Sequence, residues 1–193
     1  MRSFLRRAIS ATALAAGALL SAPASAETYD FGALLEGAGA PEMASFATLT
    51  ANVVGNDVLF TLTAHGLDLF SGDQPWIGAL SVDGLKTGSV TDVSGDANVS
   101  MGRGHGPDGG FEFKFDFSDT TGRLLDNESV SWTWAGGAGH FDTFAAHIKG
   151  IAYGDTNNAW YNAALAVPEP NSYALMLAGL GVIGLLARRR RPR

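Results

Sequence analysis

His65, His105, His140 and His147 are the only imidazoles in the 193-residue chain, and there is no cysteine. Zinc sites are built from thiolates or from closely spaced imidazoles, as in HExxH, and neither pattern occurs. His140 and Asp142 would share one face of an extended segment, which gives two ligands without a third. Histidines packed in or on a sheet account for these residues, so no metal ligand is assigned. Oxygen donors gather at Asp92, Asp96 and Asn98, and again at Asp155, Asn157 and Asn158, in stretches that read as loops. Calcium takes roughly six to eight oxygens, and neither run has the spacing or closing glutamate of an EF-hand. Asn and Asp also serve turns through local backbone hydrogen bonds. A structural calcium, with no ligands named, is the one cofactor left open; none other is expected.

Glycoside hydrolysis needs two carboxylates roughly 5–9.5 Å apart. Glu112 and Asp116 fall on one face of a strand, but four residues of extended chain separate their Cα atoms by ~13 Å. No GxSxG elbow is present. Gly104 to Gly109 fits GxGxxG, yet a dinucleotide loop must open a helix, and here a strand-like FEFKFDF follows almost at once. Four tryptophans, Trp76, Trp132, Trp134 and Trp160, could offer flat faces to sugar rings. Trp132 and Trp134 alternate onto one strand face and are the best pair for glycan contact. The competing role is in the core, because a sandwich needs large inward side chains. No catalytic residue emerges, and the chain reads as a non-enzyme.

The elements that would carry these residues are strands. Residues 27–166 hold 21 of the 25 glycines, which punctuate short aromatic and β-branched runs; this is the pattern of an all-β sandwich or jelly-roll-like domain. In Phe111–Phe117 the four phenylalanines occupy alternate positions, with Glu112, Lys114 and Asp116 between them. Phe46–Val54 and Val58–Ala64 predict a hairpin around Gly55-Asn56-Asp57. Further strands are expected at Trp76–Val82, Ser89–Val93, Ala97–Met101, Ser129–Trp134 and Thr143–Tyr153, giving about eight in two packed sheets. Residues 27–44 are left open between a strand and a helical turn. Thr61-Leu-Thr-Ala-His65 followed by Gly72-Asp73 and Trp76 is echoed by Thr143-Phe-Ala-Ala-His147, Gly154-Asp155 and Trp160, a candidate duplication.

Residues 1–26 have a basic start at Arg2, Arg6 and Arg7, an apolar run from Ala8 to Leu20 and a small-x-small close at Ala24 and Ala26. These are the parts of a secretory signal peptide read by signal peptidase and the export machinery. Residues 27–166 then keep five basic and 18 acidic side chains, a net charge of −13 against −6 for the chain. Such a surface repels polyanions and excludes nucleic acid as a partner. Without disulfides, the exported domain must stand on its core alone.

Residues 167–193 combine Pro168-Glu169-Pro170, an uncharged stretch from Ala174 to Ala187, and Arg188, Arg189, Arg190, Arg191 and Arg193. The prolines disfavour helix and separate the tail from the domain. As a helix the apolar stretch would be about 21 Å long, short of the ~30 Å hydrocarbon core. Counting from 171 to 187 and adding snorkelling arginine stems approaches a short transmembrane segment. The arginines should anchor the topology by staying cytoplasmic.

This order of a VPEP motif, an apolar segment with Gly179, Gly181 and Gly184, and terminal arginines resembles the PEP-CTERM sorting signal. The resemblance implies a Gram-negative bacterium and a membrane-anchored intermediate. It also implies recognition by an exosortase-type protease near Pro168-Glu169-Pro170, then release to the cell envelope or outside. It further implies an exopolysaccharide or biofilm setting. The reading is an exported surface or matrix protein with a structural or adhesive role. A carbohydrate-binding β-sandwich and a secreted polysaccharide hydrolase with carboxylates drawn from separate strands are the alternatives.

Overall fold

The computed structural model describes residues 26–166 apart from His105, Asp108, Gly109 and Asp119, together with Leu180. Ten strands carry the fold. They are β1 (Ala26–Glu36), β2 (Ala47–Val54), β3 (Asp57–Ala64), β4 (Trp76–Gly84) and β5 (Ser89–Gly95), then β6 (Val99–Arg103), β7 (Phe113–Phe117), β8 (Ser129–Ala135), β9 (Phe141–Tyr153) and β10 (Thr156–Leu165). The all-β expectation holds, and the expected hairpin is β2–β3, closed by Gly55-Asn56 with Val54 opposite Asp57.

The strands form one antiparallel sheet in the order β5-β8-β3-β2-β1-β10-β9-β4-β7-β6, rather than two separate sheets. Its two halves are joined through the β1–β10 pair, and the outermost strands β5 and β6 come within 8 Å of each other at Cα. The sheet is therefore rolled into a near-barrel whose halves face each other like a sandwich. Ring contacts across the interior demonstrate this. Phe60 of β3 touches Phe115 of β7 at 5.7 Å and Phe144 of β9 at 5.7 Å between centroids, although neither strand neighbours β3. Trp134 of β8 meets Phe113 of β7 at 5.1 Å. Edge-to-face and offset pairs of this kind add about 0.5–1.5 kcal/mol each beyond the area they bury.

Strand pattern follows from this core. In β7, Phe113, Phe115 and Phe117 point inward, and Lys114 and Asp116 pair outside at 2.7 Å. The strand begins two residues later than FEFKFDF suggests. Glu112 precedes it and accepts a hydrogen bond from the Gly84 backbone N–H at 2.9 Å, so it leaves the face it was expected to share with Asp116. The open segment after residue 26 is a strand, and its irregular alternation comes from register shifts at Phe31/Ala33 and Leu34/Glu36. β10 lies where a loop was expected.

Candidate functional site

The outer face of β4, β9 and β10 concentrates the side chains best suited to binding. Antiparallel register sets Lys149 of β9 between Trp76 of β4 and Asn158 of β10, and sets His147 opposite Trp160. Alternation along β9 sends Ile148 inward and His147 and Lys149 outward, half-exposed. The imidazole of His147 stacks on the Trp160 indole at 4.1 Å with the planes 5° apart. Its Nε2 lies 3.1 Å from Asn158 Oδ1, while Asn158 Nδ2 donates to Asn157 Oδ1 at 2.7 Å. That second bond fixes the Asn158 oxygen as the acceptor, so His147 Nε2 is the donor.

Two features hold the β4 side of this face. A shift in register between Ile77 and Ala79 places Gly78 under the Lys149 stem, where a Cβ would lie 2.8 Å from Cδ. The bridge between Ile77 and Leu124, with Ile77 N–H donating to the Leu124 carbonyl at 3.0 Å, brings the preceding Arg123 over the Trp76 ring. The guanidinium carbon sits 4.2 Å from the ring centroid, within the range of cation–π attraction. Trp76, His147, Lys149, Gly150, Asn157 and Asn158 line a depression of about 340 Å³. Trp160 lies on the far side of His147. The arrangement offers half-exposed aromatic rings for an apolar ring face, amides that both donate and accept, and cationic groups at the rim.

The other candidate residues fall elsewhere. Trp132 and Trp134 are fully buried among Phe60, Phe113, Phe115 and Phe117, so their faces are turned from solvent. Trp134 Nε1 donates to the Thr87 carbonyl at 2.6 Å. Asn157 and Asn158 lie in β10 rather than in a loop, and their amides serve the His147 network. Asp96 accepts from the Ser129 backbone N–H at 3.0 Å, and Asn98 donates to the Thr121 carbonyl at 3.4 Å. Among the described residues no three His, Cys, Asp or Glu side chains converge as a metal site. The Gly104–Gly109 run falls in the connection of the antiparallel β6–β7 pair, before a strand. The suspected duplication is not an equivalence in the sheet: β9 and β10 are hairpin partners, whereas β3 and β4 are far apart.

Three carboxylates group at the opposite end of β4. Asp83 is held above its usual pKa, first by burial, then by the charges of Glu112 and Asp142 and a hydrogen bond to Glu112.

At the seam of the sheet, Tyr29 of β1 pairs with Leu165 of β10, and Ala166 N–H donates to the Thr28 carbonyl at 2.8 Å. A family model, the PEP-CTERM protein-sorting motif, matches residues 166–191. The chain carries this sorting motif. PEP-CTERM sorting marks an exported protein handled by exosortase-type machinery, which passes through a membrane-anchored intermediate to the cell envelope or extracellular space. The comparisons with curated proteins and with solved structures give no match. Within the PEP-CTERM segment, Pro168, Glu169, Pro170 and Arg188 to Arg191 lie outside the described residues, as does the expected membrane segment 171–187 apart from Leu180. Ala24 also lies outside them, and Ala26 opens β1. Among the described residues no helix is long and apolar enough to cross a membrane.

Proposed function

We propose that this exported protein is a saccharide-binding, adhesive component of the cell surface or an exopolysaccharide matrix, acting by contact rather than by catalysis. The observation that carries the reading is the outer face of β4, β9 and β10, where Trp76, His147, Asn157 and Asn158 line one depression and Trp160 stacks on His147 beside it. A pyranose has one face of C–H groups and an equator of hydroxyls. Aromatic rings take the first, and paired donor and acceptor amides take the second. The site moves the expected glycan contact from Trp132 and Trp134 to Trp76 and Trp160. Those two indoles are half-exposed.

The test is glycan-array binding by the protein recovered from envelope or medium, wild type beside Trp160→Ala. Trp160→Ala forfeits the stack on His147, so the melting temperature should fall by a few degrees with the fold retained, while affinity falls at least about tenfold, or ~1.4 kcal/mol. Binding that survives both Trp160→Ala and Trp76→Ala would remove the site from this face.

A second reading, polysaccharide hydrolysis, draws on the Asp83, Glu112 and Asp142 group, since a carboxyl with a raised pKa is the acid such chemistry needs. Turnover of a polysaccharide that is lost in Asp83→Asn would establish it in place of the contact role.

A further inference from the structure

We propose that Asn98 is the acceptor for an N-linked glycan, added on the export side of the membrane. The proposal does not draw on the saccharide-binding face and stands or falls apart from it.

An asparagine two residues before Ser or Thr is the acceptor pattern for such a glycan in an exported chain. Residues 27–166 contain it twice, at Asn98-Val-Ser100 and at Asn127-Glu-Ser129. The first lies within Asp96-Ala-Asn98-Val-Ser100, where a carboxylate, an amide and a hydroxyl alternate. In an extended peptide these three side chains stand on one side. The hydroxyl then lies beside the amide, and the carboxylate offers a handle to a cationic groove. At the second place the residue two before Asn127 is Leu125, which offers no charge.

The fold makes only the first of them reachable in that form. Asp96, Asn98 and Ser100 are exposed, and they run from the β5–β6 connection into β6. That strand ends the sheet, so among the described residues one row of its backbone groups shares no ladder with another strand. An enzyme that takes its acceptor as an added strand can pair there without unpicking the sheet. The Asn98 amide is lightly held, since Nδ2 donates to the Thr121 carbonyl at 3.4 Å, beyond the usual hydrogen-bond range. Asp96 accepts from the Ser129 N–H at 3.0 Å, and a carboxylate has further acceptor sites to offer. Asn98, Ser100, Asp116, Phe117 and Ser118 help line a depression of about 350 Å³, room beside the amide for a first sugar ring. Asn127 instead sits at a φ of 60° in a tight turn, closed by Glu128 N–H donating to the Leu125 carbonyl at 3.3 Å. Its Ser129 enters β8, which is paired on both sides.

The transfer is a substitution at an anomeric carbon, and the co-reactant is a polyprenyl-diphosphate-linked oligosaccharide. The Asn98 amide nitrogen bonds to C1 of its first sugar, and the bond from C1 to the diphosphate oxygen breaks. The electron pair leaves with the polyprenyl diphosphate, and one amide proton passes to a base of the transferase. The product also answers a weakness of the fold. β5 is spoiled for edge pairing by its register shift between Thr91 and Ser94, whereas β6 keeps unbroken register with β7. A glycan at Asn98 gives the β6 edge the cover that the shift gives β5.

The experiment is glycopeptide mass spectrometry of the protein recovered from envelope and medium. Trypsin separates the two asparagines, cutting after Lys86 and Arg103 around Asn98 and after Arg123 and Lys149 around Asn127. Peptide 87–103 should carry a glycan mass, located on Asn98 by electron-transfer fragmentation, and peptide 124–149 should be bare. In the same cells Asn98→Gln and Ser100→Ala should remove the added mass, and Ser100→Thr should keep it. Asp96→Asn retains an acceptor for the Ser129 N–H and should weaken acceptance about tenfold, the loss of one charge-assisted contact. Peptide 87–103 at its bare mass would overturn the assignment, as would a glycan that persists in Asn98→Gln or one found on Asn127. Unchanged occupancy in Asp96→Asn would strike the carboxylate from the acceptor.

Discussion

Gly150 is where one added carbon tests the site most directly. Its φ of 75° is left-handed, and a Cβ there would press on Cζ3 and Cε3 of Trp76. Gly150→Ala has a backbone cost of about 1–2 kcal/mol for holding an L-residue at this φ. The stiffer unfolded chain offsets about 0.4–1 kcal/mol of that. Displacing the indole also forfeits the Arg123 contact, worth about 0.5–1 kcal/mol where partly exposed. The net loss is about 1–2 kcal/mol, a fall of roughly 3–7 °C in melting temperature for a domain of this size. Gly154 provides the reference: its φ is 61°, yet nothing lies within 4 Å of where its Cβ would be. Gly154→Ala therefore carries the backbone cost without the collision. Thermal melts of both variants, with the Trp76 indole N–H resonance followed by NMR, separate the two contributions. Gly150→Ala should melt lower than Gly154→Ala by about 2–4 °C, shift that resonance, and weaken saccharide binding. Equal melting temperatures with an unmoved Trp76 signal would refute the close packing on which the site depends.

Two other outcomes follow from the carboxylate group and the tail. Asp83 keeps its proton to higher pH in the folded state than in the unfolded chain, so its contribution is present below the usual value of 3.8 and is lost as pH rises through the raised folded value. Asp83→Asn should therefore raise the melting temperature at pH 7 and make no difference at pH 3; a lower melting temperature at pH 7 would contradict the repulsion from Glu112 and Asp142. Intact mass of the protein from envelope and medium should show loss of residues 1–26 and of the residues beyond Pro168-Glu169-Pro170. Mature protein still carrying Arg188 to Arg191 would make the segment a retained anchor.

What could be read in advance was whatever depends on short range. The alternation in β2, β3, β7 and β8 is regular because each buries one face against the aromatic interior. β10 escaped because only Ala159 and Tyr161 of its ten residues are buried, and an Asn pair near its start mimics a turn. β1 was hidden by its two register shifts. The site was less legible still. The recurring His, Gly-Asp and Trp pattern drew attention to His147, Trp76 and Trp160, yet their convergence depends on the pairing of β4 with β9 and β9 with β10. Trp132 and Trp134 share a face as their spacing implies, but spacing cannot say which side of a sheet is wet.

The seam between β1 and β10 also sets a schedule. These strands stand at the middle of the sheet, with five strands on each side counting themselves, and join residues as far apart as Tyr29 and Leu165. Such long-range pairings form slowly and late. For a chain exported amino end first, neither half can be zipped to the other until Leu165 has crossed the membrane, and the next residues are those of the sorting motif. The last pairing of the domain thus waits on the residues that directly precede the sorting motif, and it sets Thr28 and Ala166 side by side at the seam.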